Sequence, residues 1–250
     1  MDISAATVLV TGANRGLGRA LAQELVARGA TVYGAARRPD QIDLPGVKAI
    51  RLDVTDPASV AAAVEEARDV TVLINNAGSS TGADLLTGNW DAVRLEMETH
   101  YLGALGMIRA FAPVIESQGG GAILNILSAL SWISLPTVGA YAAAKSAEWS
   151  LTNAVRQQLA PRGITVSGLH VGYMDTDMAR HVKGPKTAPS DVARAAVDGI
   201  ASGAAEDRNI LPVTEDIWLR RSTSRATSSS PPRASAIAIS RSARSRTSPG

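Results

Sequence analysis

The sequence contains no cysteine. A disulfide framework and a thiolate zinc site are therefore both excluded. Three histidines, scattered along the chain, offer no spacing for a histidine metal centre, and no metal is expected. Aromatic residues make up only 4%, with a single Phe, so the core must be largely aliphatic. The N-terminus has no basic start and no cleavage pattern, so a signal peptide is not expected and a cytoplasmic location is. Charge is absent from residues 117–144, a stretch of 28 residues. Three successive glycines at 119–121, Asn125 and Pro136 interrupt that stretch. It reads as a strand buried on both faces followed by a loop, and no membrane span is expected.

Acid is absent from the other end. Residues 220–250 hold seven Arg, ten Ser and no Asp or Glu, so residues 1–219 carry −5 and the chain's net +2 belongs to the tail. With little apolar period, this segment cannot offset its own ordering entropy. Two readings of 220–250 stand: a disordered basic tail, or the product of a GC-rich reading frame shifted by one base. It has no interleaved aromatics and the body is acidic, so a nucleic-acid partner is not expected.

What remains, at 45% apolar and 19% charged over the whole chain, is enough for a substantial core. Strand candidates are Thr7–Thr11, Thr31–Ala35, Ala49–Asp53, Thr71–Asn75, Ala122–Ser128, Thr165–His170 and Asn209–Val213. Helical periods fall near 16–28, 57–68, 89–116, 140–160 and 190–203. Asp56 and Ser190 are expected N-caps, with Pro57 at the first helical position. Strand–helix alternation with short connections predicts a single α/β domain over 1–219. Its expected form is a doubly wound Rossmann-type sheet of seven mainly parallel strands, with helices on both faces.

Thr11-Gly12-Ala13-Asn14-Arg15-Gly16-Leu17-Gly18 lies between the first strand and the first helix. Glycines there let the backbone turn sharply and approach a pyrophosphate at the helix N-terminus. Tyr141 and Lys145 stand four apart, on one helix face. A phenol is a poor acid–base catalyst at neutral pH, and an adjacent ammonium pulls it toward the phenolate. Ser128 ends an apolar strand 13 residues before Tyr141.

In order along the chain, Gly12-x-x-x-Gly16-x-Gly18, Asn75-Asn76-Ala77-Gly78, Ser128, Tyr141-x-x-x-Lys145, and Gly172 with Thr176 resemble the short-chain dehydrogenase/reductase family. The resemblance covers residues 5–213. It implies that Tyr141 gives a proton to a carbonyl oxygen as hydride arrives, that Ser128 hydrogen-bonds that oxygen, and that Lys145 supports Tyr141 and the nicotinamide ribose. It further implies that Asn75, Ala77 and Gly78 line the cofactor cleft, that Asp53 and Val54 meet the adenine, and that Met174 and Thr176 hold the carboxamide and pyrophosphate end. Two positions depart from the family pattern: His100 stands where an Asn is usual in the proton relay, and Val171 stands where Pro usually precedes Gly172.

NAD sites of this type keep an acid at the end of the second strand for the ribose 2′-hydroxyl. That slot is Ala36, followed by Arg37 and Arg38, and Arg15 adds a cation inside the glycine loop. NADP is therefore the expected cofactor. Leu130, Trp132, Tyr173 and Met178, with Leu135 and Met174, are candidate walls of an apolar substrate pocket. The expected substrate is an apolar small-molecule ketone, aldehyde or alcohol, and the expected assembly a homodimer or homotetramer through helices 89–116 and 140–160. The alternative is a non-catalytic NADP-binding regulatory protein of the same fold, which the intact Ser128, Tyr141 and Lys145 set opposes.

Overall fold

A computed structural model describes residues 1–204 and the backbone of residues 206–207. Six parallel strands lie in the order β3-β2-β1-β4-β5-β6. They are β1 (Thr7–Thr11), β2 (Thr31–Ala36), β3 (Val47–Arg51), β4 (Val72–Asn75), β5 (Gly121–Ser128) and β6 (Ile164–Val171). At the β6 edge, Glu206 and Asp207 pair in parallel with Gly168 and Leu169. The strand expected at 209–213 and the tail at 220–250 lie outside the described residues.

Helices α1 (Gly16–Ala27), α2 (Pro57–Glu66), α3 (Trp90–Met97), α4 (Ala104–Ser117), α5 (Gly139–Leu159) and α6 (Pro189–Ser202) connect these strands. Period-two alternation divides each central strand between two cores. Val8, Val10, Val72, Ile74 and Leu124 face one core, with Leu21 and Leu25 of α1 and Val197 of α6. Leu9, Leu73 and Ile123 face the other, with Val60 of α2, Phe111 of α4 and Val155 of α5. Both faces are covered, so these strands read in sequence as unbroken apolar runs.

Local rules held at α2, where the Asp56 carboxylate accepts from the Ala58 N–H at 3.0 Å and Pro57 is the first residue. They failed at α6. Ser190 is not its N-cap: Ala188 is, without a side-chain bond, and Pro189 takes the first position. Proline's fixed φ suits that position, which puts Ser190 at the second helical position. Strand β3 also begins two residues earlier than expected. Its ladder with β2 runs from Val32↔Val47 to Ala36↔Arg51, which frees Asp53 for the loop beyond.

The long helix expected at 89–116 is interrupted. Between α3 and α4, Glu98–Gly103 form a π-helical segment that contains His100. The strand order reverses between β1 and β4, the switch point at which open parallel sheets form their ligand crevice.

Candidate active site

Loops leaving the C-terminal ends of the strands border one cleft of about 540 Å³. Its first wall is the turn after β1. Gly12 and Gly16 take φ of +70° and +53°, a region that side chains rarely adopt. A Cβ on Gly18 would collide with the Gly12 carbonyl oxygen, so α1 can close on the strand only with glycine there. Arg15, the N-cap of α1, makes no side-chain capping bond, and the first turn holds no acid. The free N–H groups and the positive end of α1 therefore suit an anion.

Asn14, Arg15, Leu17, Arg37, Arg38 and Gln41 continue this end of the cleft. Arg15, Arg37 and Arg38 are exposed and make no ion pair among the described residues. Asn14 donates to Gln41 Oε1 at 3.1 Å, tying the glycine loop to the segment after β2. Gln41 is an addition to the expected set. This end fits a phosphorylated dinucleotide: a backbone cradle, an open helix end, and cations placed where β2 ends in Ala36.

Asp53 and Val54 line the cleft. The Asp53 carboxylate accepts from the Thr55 N–H and hydroxyl, at 3.0 and 2.7 Å, which fixes the turn after β3. After β4, Ala77 and Gly78 line the cleft, together with Asn76 in place of Asn75. Thr11 explains the arrangement: its hydroxyl accepts from the N–H groups of Asn76 and Ala77, both at 2.9 Å. Asn75 is buried and points elsewhere, donating to Asn125 Oδ1 at 2.9 Å, while Asn125 donates to Thr152 at 2.8 Å. Asn75 thus ties β4 to β5 and α5. Met174, Thr176 and Met178 close the far wall, Thr176 beside Gly16. Val171 lines the cleft and Gly172 does not.

Tyr141 and Lys145 line the opposite end, on α5. Ser128 is buried and does not itself line the cleft, but its side chain is hydrogen-bonded to Tyr141. It accepts the Leu130 N–H at 3.1 Å, which caps the turn at 129–131 and leaves its own proton to donate. Lys145 Nζ donates to the Ile126 carbonyl and to Glu148 Oε2, both at 2.6 Å. The Tyr141 phenol is held above its ordinary value. Burial is the first cause; the Lys145 charge and a Ser128 hydrogen bond oppose it, and Glu148 adds to it. The expected pull of Lys145 is present but outweighed. For Lys145, burial lowers the ammonium, yet the Glu148 charge and bond carry it above its ordinary value.

His100 lines the cleft edge-on to Tyr141, with ring centroids 5.1 Å apart. Its Nε2 lies 2.8 Å from the Ser79 carbonyl oxygen, 3.3 Å from the Ser79 amide nitrogen and 3.4 Å from Glu96 Oε2. Its Nδ1 is buried without a hydrogen-bond partner among the described residues. Burial pushes the Glu96 carboxyl up, but bonds from His100, Thr81 and Ser79 outweigh it and bring it to about 2. Glu96 and Glu148 escaped the sequence reading, although each has a sequence signal: Glu96 is four residues before His100, and Glu148 three after Lys145.

The expected substrate walls divide. Met178 reaches the cleft; Leu130, Trp132 and Tyr173 do not line it. Trp132 instead stacks on the buried His170 at 3.9 Å between ring centroids, and His170 Nδ1 lies 3.1 Å from the Ser128 carbonyl. The loop after Ser128 is thereby anchored. No helix among the described residues is long and apolar enough to cross a membrane.

The model of the short chain dehydrogenase family matches residues 6–186 of this chain. The 3-oxoacyl-[acyl-carrier-protein] reductase of Salmonella typhimurium is 34% identical over 191 residues, 72% of this chain and 78% of that protein. A 3-ketodihydrosphingosine reductase of Bacteroides thetaiotaomicron is 34% identical over 173 residues, 68% of this chain and 64% of that one. Among solved structures, a short chain dehydrogenase from Burkholderia cenocepacia in complex with NADP superposes with a TM-score of 0.83 at 34% identity. That similarity covers 92% of this chain and all of the other.

Proposed function

This chain belongs to the short-chain dehydrogenase family of oxidoreductases, and we propose that it is an NADP(H)-dependent carbonyl reductase interconverting a ketone or aldehyde with its alcohol. The observation that carries this reading is one cleft with Tyr141 and Lys145 at one end and, beside a glycine cradle at the other, three arginines without an ion pair among the described residues.

Bound NADPH supplies the hydride. The chain supplies the rest. Tyr141 delivers a proton to the carbonyl oxygen. The Ser128 hydroxyl, its acceptor side engaged by Leu130, donates to that oxygen as negative charge builds on it. Lys145 has two of its donors taken by Ile126 and Glu148, which leaves one for the ribose hydroxyls. The Gly12–Gly18 turn and the start of α1 hold the pyrophosphate. Arg37, with Arg15 and Arg38, pairs with the 2′-phosphate.

For substrate, we favour an apolar carbonyl compound, with Met174 and Met178 on the cleft wall. The names of the Salmonella and Bacteroides relatives both specify 3-keto compounds, so these head the panel that tests the reading. NADPH absorbance is followed with 3-oxo esters, aryl ketones and aldehydes; no turnover with any of them sinks the reductase reading.

Residues 1–219 as the catalytic domain and a homodimer or homotetramer complete the proposal. Of the small residues on the helices expected at 89–116 and 140–160, Gly103, Ala104, Ala142 and Ala144 are buried within this chain and Ala143 is exposed. Exposed Leu86, Trp90 and Leu102 serve better. Sedimentation giving only the 25.9 kDa monomer would refute it.

A further inference from the structure

Glu148 has no part in the chemistry above, yet it is 2% exposed and bound to Lys145, the residue beside the proton donor. A buried carboxylate is expensive unless paired. Lys145 does not depend on it for a partner, because the Ile126 carbonyl already accepts from Nζ at 2.6 Å. The Glu148 turn is itself held firmly: the Thr152 hydroxyl donates to the Glu148 carbonyl at 2.7 Å, and Asn125 of β5 donates to that hydroxyl. The acid is built into the site.

Its effect follows from counting charge. The Glu148 carboxylate, the Lys145 ammonium and the Tyr141 phenol make a neutral group. Removing the phenol proton leaves that group with one buried negative charge. Without Glu148 the remaining pair is positive, and losing a proton makes it neutral. The other groups facing Tyr141 do not reverse this. From α3 comes Glu96, a second anion that also disfavours phenolate. The π-helical segment contributes the His100 ring, and β5 only the Ser128 hydroxyl and the Ile126 carbonyl. His170 of β6 lies beside the Ser128 carbonyl.

We propose that Glu148 is a positioning residue that acts through Lys145 to keep Tyr141 a neutral phenol, setting the site to give a proton to a carbonyl rather than take one from an alcohol. This rests on the carbonyl reductase reading. In the favoured direction the carbonyl carbon gains hydride from the nicotinamide, its oxygen gains the phenol proton, and the Tyr141 phenolate is reprotonated from solvent. The reverse reaction must begin from phenolate, which Glu148 holds back to more alkaline pH.

The test uses the full chain with Glu148→Gln and Glu148→Met, which remove the charge at similar volume, and Glu148→Asp, which keeps it. Rates of carbonyl reduction and alcohol oxidation are measured against pH. The ultraviolet tyrosinate signal of Tyr141 is titrated in parallel, with Tyr141→Phe as the spectral blank. In the neutral variants, the alkaline limb of reduction and the acid limb of oxidation should both move down by about one pH unit or more. The tyrosinate signal should move with them, and Glu148→Asp should recover much of the change. Unmoved limbs, a loss uniform across pH, or a shift without tyrosinate would overturn the proposal. Wild type needs no variant to fold: a Tyr141 phenolate already present at neutral pH is equally fatal. Failure of wild type to reduce any carbonyl would remove the reductase reading, whereas the substrate-free titrations would still judge whether Glu148 controls Tyr141.

Discussion

At the glycine-loop end of the cleft, Arg15, Arg37 and Arg38 stand in solvent without ion partners among the described residues. At the Tyr141 end, Lys145, Glu148, Glu96 and His100 are 5% exposed or less, and each contacts another charged or titratable group. The first end meets its ligand with independent, hydrated charges, which salt screens and which can be altered singly. The second is a coupled set shielded from bulk ions, where one substitution changes the state of its neighbours. Under the proposed function, selectivity for cofactor and competence for chemistry are carried by electrostatics of opposite kinds.

Substitution of the proton donor should have the largest effect. Tyr141→Phe keeps the ring against His100 but removes the hydroxyl, so turnover should fall about 10²–10⁴-fold with NADPH binding largely retained. Steady-state rates beside a fluorescence titration check this, and wild-type turnover would overturn the mechanism. Next comes Glu96. Its carboxyl falls from 4.5 to about 2 in the fold, which corresponds to roughly 3 kcal/mol. A depressed carboxyl stabilises the fold fully above pH 4.5, and the contribution disappears as pH falls toward 2. Denaturant unfolding across that window should show the loss in wild type and a flatter profile in Glu96→Gln.

The open end should respond less and more selectively. Arg37→Ala should weaken NADPH binding about tenfold, below the full value of a charged hydrogen bond because the site is exposed, and leave NADH nearly unchanged. Ala36→Asp should favour NADH by repelling the phosphate. Titrations with both cofactors at two ionic strengths decide the matter: equal losses for both in Arg37→Ala would make that residue a fold element. The smallest effect should come from His100→Asn, with activity within a few-fold of wild type in the same assay. An inactive but folded variant would show that the His100–Glu96 contact serves the reaction.

The sequence was most legible where a feature is local. The Asp56-Pro57 start, the glycine turn and the four-residue spacing of Tyr141 and Lys145 each act within a turn or two, and each is where the pattern put it. Features decided across the fold were less so. The start of β3 depends on its ladder with β2. The family resemblance put Asn75 in the cleft, but in a strand successive side chains face opposite ways, and its partner Asn125 is 50 residues on. Trp132 looked like a pocket wall because nothing nearby in sequence announced His170. Glu96 is bound from a loop 15 to 17 residues earlier, so its burial could not be read, even though its spacing to His100 could.

The π-helical segment at Glu98–Gly103 has a consequence for chain length. In a regular helix each residue advances about 100° around the axis, so a wider turn offsets the face that α3 presents from the one α4 presents. A chain one residue shorter within 98–103 could run through as an unbroken α-helix, with the apolar pattern of both halves intact. The wider turn takes up one extra residue, so this shorter chain would keep Glu96 and α4 on nearly the same relative faces. The full length wound as α-helix throughout would instead turn Glu96 by about 100°, away from Ser79 and Thr81. A single-residue gap at this point, in any comparison of related sequences, is a regularised turn that leaves the cleft wall in place.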